Sequence, residues 1–223
     1  SLPDFDPNDK IDPRNDVDTT FNRASLGRYE MGSTFKAFTL AMALDSGAVS
    51  LRDEFDASEP LKIANTTIHD YHAKSRSLNV PEIFVFSSNI GAAKIALAMG
   101  SVRQKQFLER VNLLSPINFD LPEISKPGYP SNWRDINTAT ISYGHGISVS
   151  PIHLASSIAA LVNGGIWSPP TLIKRKEGLI KGRRVITEAT SQAMRQLFRL
   201  VVTHGTGKQA DVEGYLVGGK TGT

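Results

Sequence analysis

The sequence predicts one mixed α/β domain in which helices outnumber strands, and three observations carry that reading. Helix signals recur along the chain: apolar stretches from Ala37 to Leu44 and from Ile90 to Met99 end at Gly47 and Gly100, and Pro151 follows Ser150. Strand-like pieces are few, namely Thr171 to Arg175, Arg184 to Thr187 and Tyr215 to Thr223. No internal repeat and no shift in composition marks a boundary, so residues 1–223 read as one domain. A hydrophobic fraction of 40% and a charged fraction of 21% are ordinary for a globular chain able to bury a sizeable core.

In chain order, residues 4–28 are rich in Asp, Asn, Pro and Arg without sustained period and read as an extended surface connection. A helix follows from Thr34 to Ser46. Between Ala37 and Leu44 it is apolar on every side except at Thr39, the mark of a helix buried in the middle of a domain. Pro81 suits the first turn of a short helix through Phe86, which breaks at Ser87-Ser88-Asn89 before Ile90 to Met99. Ser101 and Gln104 form a Ser-x-x-Gln capping pattern for a helix reaching Val111. Ser150-Pro151 opens a helix that ends at Gly164-Gly165, and Thr187 caps a last one reaching Val202.

The net charge of +3 is unevenly placed. Lys174, Arg175, Lys176, Lys181, Arg183 and Arg184 stand against Glu177 alone, and Gly178 and Gly182 favour a solvated hairpin or loop over a polyanion site. Nucleic-acid binding is not read from it. The absence of cysteine excludes disulfides and thiolate metal sites. No run approaches the ~18 apolar residues of a membrane span. Ser1-Leu2-Pro3 carries neither an initiator Met nor a signal-peptide pattern, so the chain is expected to be an excised or processed piece.

Ser33 and Lys36 lie three apart at a helix start, where their side chains share a face. A serine hydroxyl is a poor nucleophile until a base takes its proton, and a lysine serves only when neutral. Burial in the apolar helix and a second cation such as Lys220 both push its pKa down. The Ser33 backbone N–H, in the first turn, is a natural half of an oxyanion hole. Alone the signal is weak, since composition yields about one Ser-x-x-Lys match in such a chain.

Ser-x-Asn occurs twice. Ser77-Leu78-Asn79 precedes Pro81 and reads as a polar turn. Ser87-Ser88-Asn89 lies between two apolar helical segments, where inward polar groups need partners, and is the better candidate. Ser87 would relay a proton and Asn89 would hold a substrate amide, a role compatible with helix capping. Lys220-Thr221-Gly222-Thr223 ends a β-like run: Gly222 permits close approach of an extended peptide, and Thr221 and Thr223 beside Lys220 suit a carboxylate.

The three strings in this order mark penicillin-binding proteins and class A β-lactamases. The wider chain resembles the transpeptidase domain of class B penicillin-binding proteins, most closely the division-specific (septal) penicillin-binding protein 3 branch of Gram-negative bacteria. The resemblance rests on residues 2–8, Asn22-Arg23, residues 29–36 and 87–91, Trp133-Arg134-Asp135-Ile136, Tyr143-Gly144-His145-Gly146 and residues 149–155, nearly the whole chain. It implies a serine β-lactamase/transpeptidase-like fold, with helices around an antiparallel sheet. It implies that Ser33 attacks the penultimate D-Ala of a peptidoglycan stem peptide, with Lys36 as base and Ser87 as proton relay. Asn89 then holds the peptide, while Lys220, Thr221, Gly222 and Thr223 form the carboxylate-binding strand. An oxyanion hole from the Ser33 and Thr223 N–H groups completes the site. β-Lactams, as mimics of D-Ala-D-Ala, would acylate Ser33. The resemblance further implies no cofactor or metal, a periplasmic domain of a protein anchored in the inner membrane, and partners in the division machinery.

Two departures accompany the resemblance. Met31 stands where the family has Pro, a change expected to alter the turn without touching the chemistry. The family's Lys-Thr-Gly strand is followed by two more strands and a C-terminal helix, so the chain is expected to be a C-terminally incomplete domain. The competing readings are a serine β-lactamase, for which neither Glu-x-x-Leu-Asn nor Tyr-Gly-Asn is found, and a non-catalytic penicillin sensor or scaffold. His69-Asp70-Tyr71-His72 reads as a polar loop rather than a metal site, because no third ligand cluster accompanies it. His145 reads either as a structural turn or as a lining of the cleft, and Trp133 and Trp167 as packing residues.

Overall fold

The computed structural model describes residues 6, 8, 18–174 and 182–222. Among them the helices are α1 Lys36–Asp45, α2 Val80–Val85, α3 Asn89–Met99, α4 Ser101–Arg110, α5 Asp135–Ile141, α6 Pro151–Val162 and α7 Glu188–His204. The described strands form three two-stranded antiparallel ladders. β1 Glu54–Asp56 pairs with β4 Ser77–Asn79, β2 Leu61–Ile63 with β3 Thr66–Ile68, and β5 Ile166–Trp167 with β6 Arg183–Arg184. Among the described residues no helix is long and apolar enough to cross a membrane.

Helix α1 is the axis of the fold. Every residue from Lys36 to Ala43 is buried, as the all-round apolar pattern requires, and α2, α3, α4 and α7 pack around it. Phe38 and Leu40 are fully enclosed, each contributing about 1.5–3 kcal/mol of burial. A 3-10 turn, Gly32–Phe35, leads into α1, and Gly47 at φ +69 stops it in the left-handed C′ position. Helix α7 buries a single stripe, Thr190, Ser191, Met194, Leu197, Phe198, Val201 and Val202, whose three- and four-residue spacing explains its length and its place on the outside.

Local caps hold where the sequence placed them at Ser150 and Thr187, which accept from the His153 and Thr190 N–H groups. Elsewhere the structure differs. Ser77-Leu78-Asn79 is not a turn: it is β4, with Leu78 buried, and Asn79 forms a reciprocal capping box with Glu82 at the start of α2. At α4 no side-chain cap forms. Gln104 turns inward, donating to the Thr138 carbonyl at 3.0 Å and accepting from Trp133 Nε1 at 2.9 Å. A buried amide satisfied at both ends outweighs a solvent-exposed cap.

Among the described residues of the strands read from sequence, only Arg184 lies in a ladder, paired with Ile166. The Thr171 hydroxyl and the Leu172 N–H donate instead to Asp120, which ties that segment to a loop. No ladder includes Tyr215 to Gly222 among the described residues: Gly219 N–H donates to the Phe198 carbonyl, so this run docks on α7. The basic stretch falls largely on residues 175–181, outside the described residues, as do Thr223 and most of residues 4–17. Its described flank shows Arg183 over the Trp167 ring, 5.8 Å from the centroid.

Candidate active site

The first component is set by two glycines that pack backbone on backbone. Gly32 has φ +52 and Gly144 φ +88, and a Cβ at Gly144 would lie 2.1 Å from the Gly32 carbonyl oxygen. Glu30 accepts from the Gly146 N–H at 2.9 Å, so the 144–146 loop clamps residues 30–32 from outside. Within the turn the Thr34 hydroxyl donates to the Met31 carbonyl at 2.8 Å. Met31 has φ −80, within the range a proline would hold, so its turn is the one a proline would make. Ser33 is thereby fixed on the turn that opens α1. His145 lies in that loop, exposed, with its ring edge-on to Tyr143 at 5.3 Å.

The second component is the break between α2 and α3. Ser87 has φ +59, a left-handed conformation costing a residue with a Cβ on the order of 1–2 kcal/mol. Three contacts hold it there: Ser87 N–H to Phe84 carbonyl at 3.2 Å, Ser88 N–H to Ile83 carbonyl at 2.9 Å, and the Ser87 carbonyl to Lys36 at 2.8 Å. Ser88 caps α3 by accepting from the Gly91 N–H. Asp70, on a separate loop, accepts from Ser88 Oγ at 2.6 Å, Asn89 N–H at 2.5 Å and Ile90 N–H at 2.9 Å. The Asn89 side-chain amide donates to the His69 carbonyl at 3.0 Å.

Lys36 joins these components. Its side chain is fully buried, and Nζ lies 2.8 Å from Ser33 Oγ, 3.0 Å from Ser87 Oγ and 2.7 Å from Asn89 Oδ1, besides the Ser87 carbonyl. An ammonium has three protons for these four oxygens; a neutral amine has two protons and a lone pair that can face the Ser33 hydroxyl. Burial is the larger cause that lowers the Lys36 pKa to about 7, the positive charge of Lys220 adds to it, and Asp70 opposes it. Lys220 Nζ sits 2.9 Å from Ser87 Oγ and 3.0 Å from the Thr221 carbonyl, and burial brings its pKa to about 8. The Ser87 hydroxyl therefore bridges two amines, and a continuous hydrogen-bonded chain runs from Ser33 through Lys36 and Ser87 to Lys220.

The structure thus gathers Ser33, Lys36, Ser87, Asn89 and Lys220 from three distant parts of the chain. Thr221 is beside them, its hydroxyl 2.7 Å from that of Thr206. Gly222 lies against the turn that carries Ser33, where a Cβ would stand 3.0 Å from Thr34 Cγ2 and 3.1 Å from the Met31 carbonyl. Thr223 lies outside the described residues. A largely apolar cleft of about 1270 Å³ between α6 and α7 reaches Met31, Thr34 and Lys220. Sequence reasoning missed two neighbours of the site, Asp70 and Thr206. The first sat in a string read as a polar loop rather than a metal site, and among the described residues no three His, Cys, Asp or Glu are grouped as metal ligands.

The same geometry can be compared with known proteins. The chain is 44% identical to "Probable peptidoglycan D,D-transpeptidase FtsI" of Caulobacter vibrioides, over 100% of this chain and 38% of that protein. It is 32% identical to "Stage V sporulation protein D" of Bacillus subtilis, over 100% of this chain and 37% of that one. The chain therefore spans well under half the length of these curated relatives. Among solved structures, the apo transpeptidase domain of Burkholderia pseudomallei penicillin-binding protein 3 matches with a TM-score of 0.86 and 32% identity, covering 92% of this chain and 63% of that one. That match shows the mixed helix-and-sheet fold of the transpeptidases. With the penicillin-binding protein transpeptidase domain profile matching residues 1–223, the chain belongs to the penicillin-binding protein transpeptidase family.

Proposed function

We propose that the protein of which this chain is part is a serine D,D-transpeptidase that cross-links peptidoglycan stem peptides during septal wall synthesis. One observation supports this above the others: a buried amine with a pKa of about 7 lies 2.8 Å from a serine hydroxyl and shares a second hydroxyl with another amine. In this reading neutral Lys36 takes the Ser33 proton as Oγ bonds to the carbonyl carbon of the penultimate D-Ala. The proton passes through Ser87 to the terminal D-Ala nitrogen as the C–N bond breaks, leaving an ester on Ser33. An acceptor amine from a neighbouring stem then attacks that ester and yields its proton along the same path, which restores the Ser33 hydroxyl.

Asn89 orients the donor peptide, and Lys220 with Thr221 and Thr223 binds its terminal carboxylate. Gly222 gives the peptide backbone room, and the Ser33 and Thr223 N–H groups stabilise the oxyanion. A β-lactam places its ring carbonyl in the same position and leaves Ser33 acylated. The likeness to FtsI and penicillin-binding protein 3 supports a periplasmic domain, an inner-membrane anchor elsewhere in the parent protein, and division-machinery partners.

Time-resolved intact mass with benzylpenicillin tests the proposal. One stable adduct is expected, absent in Ser33→Ala of unchanged circular dichroism. Rapid loss of the adduct would replace the proposal with a β-lactamase, and a folded protein that forms none would end it. Cross-linking of lipid-linked glycan then separates an enzyme from a sensor.

A further inference from the structure

Asp70 is the residue on which the second component turns. Its half-buried carboxylate takes three donors from three consecutive residues, Ser88, Asn89 and Ile90. Ser87, whose hydroxyl meets both amines, precedes them, and Asn89, whose side-chain oxygen meets Lys36 at 2.7 Å, is one of them. We propose that Asp70 is a positioning residue: it clamps the Ser87–Asn89 turn against Lys36 and supplies a negative charge that counters Lys220 there.

Two physical consequences separate this role from simple support. The clamp holds Ser88 and Asn89 directly after the left-handed Ser87, so the turn that presents the Ser87 hydroxyl is tied to the Asp70 loop. The charge acts on Lys36 from the side opposite in sign to Lys220. Among the described residues, the charged groups acting on Lys36 are Lys220, which favours the neutral amine, and Asp70, which favours the ammonium. His69 and His72 flank Asp70 in the chain, and Lys74 lies 4.6 Å from the centre of the Phe86 ring on the same loop. Asp70 therefore opposes burial and Lys220, and holds the amine closer to its charged form than those two would leave it.

Asp70→Asn tests the charge while keeping the clamp. Asn Oδ1 can still accept the Asn89 and Ile90 N–H groups, and its Nδ2 can donate to Ser88 Oγ. The Lys36 side chain is titrated by NMR in labelled, unliganded protein, and the pH profile of Ser33 acylation by benzylpenicillin is measured beside it. Asp70→Asn is expected to lower the Lys36 midpoint by about one pH unit, with the acylation midpoint following. Ser88→Ala removes one clamping arm and no charge. It is expected to slow acylation about tenfold with the Lys36 midpoint unmoved.

An unmoved or raised midpoint in Asp70→Asn overturns the inference. So does a Ser88→Ala variant that moves the midpoint as far as Asp70→Asn does. Should Asp70→Asn not fold, Asp70→Glu keeps the charge and must keep the midpoint; a lowered midpoint there also overturns it. The inference rests on the transpeptidase reading for its rate effect alone: wild-type protein that never acylates defeats that reading, while the NMR titration still decides the role of Asp70.

Discussion

Replacing Lys36 by methionine exposes the energy stored in its buried amine, through the pH dependence of stability. An unfolded lysine titrates at about 10.5, whereas the folded Lys36 titrates at about 7. Between these values the unfolded chain holds a proton that the folded one lacks, so stability rises with pH across the window. Below about 7 both states are protonated and the cost of the buried charge is fully present; above 10.5 it is gone. Each pH unit is worth about 1.4 kcal/mol, so the full window is on the order of 5 kcal/mol. Lys36→Met carries no such proton, so the difference between the two proteins reports Lys36 together with its coupling to Lys220. Urea unfolding at pH 6.5, 7.5, 8.5 and 9.5 is the assay. Wild-type stability relative to Lys36→Met is expected to climb by roughly 3 kcal/mol between the second and last of these points. A flat difference means Lys36 is not a depressed base, and a falling one means the fold prefers the ammonium; either refutes the reasoning.

Two further outcomes follow from packing. Gly144→Ala forces a Cβ into the Gly32 carbonyl at 2.1 Å and imposes φ +88 on a residue with a side chain. Backbone lies on both sides of that contact, so a loss of about 3 kcal/mol or more in thermal melting is expected, with acylation of Ser33 falling alongside. Gln104→Leu keeps much of the volume but orphans the Trp133 indole N–H and the Thr138 carbonyl, and about 1–3 kcal/mol should be lost in the urea midpoint.

What the sequence revealed was what depends on near neighbours. The all-round apolar run of α1, the caps at Ser150 and Thr187, and the Ser33–Lys36 pair each need only a turn or two of helix. What it concealed depends on partners far along the chain. Ser101 and Gln104 match a local capping rule, but Trp133 and the Thr138 carbonyl win the amide. Asp70 is 18 residues from the serine it binds, and nothing in His69-Asp70-Tyr71-His72 states that three donors will reach it. β1 and β4 are three residues each, too short for alternation to show, and α5 is rich in Thr and Asn, weak helix formers. Tyr215 to Gly222 reads as a strand, yet its Gly219 N–H donates to the Phe198 carbonyl on α7.

The distinction bears on why a Ser-x-x-Lys string is a poor signal alone and a strong one here. On a solvated helix face the amine would titrate near 10.5 and be neutral about once in three thousand molecules at pH 7. At about 7 it is neutral in about half of them, a gain of some thousandfold in available base that the string itself does not supply. The apolar surroundings of α1 contribute the larger part, and Lys220 contributes the rest from 184 positions further along the chain. Ser33 and Lys36 are thus placed by their local sequence, while the lowered pKa of the amine comes from what the fold packs around it. A variant that loosened the packing around Phe38 or Leu40 and let water reach Nζ would keep every motif residue and lose most of the base.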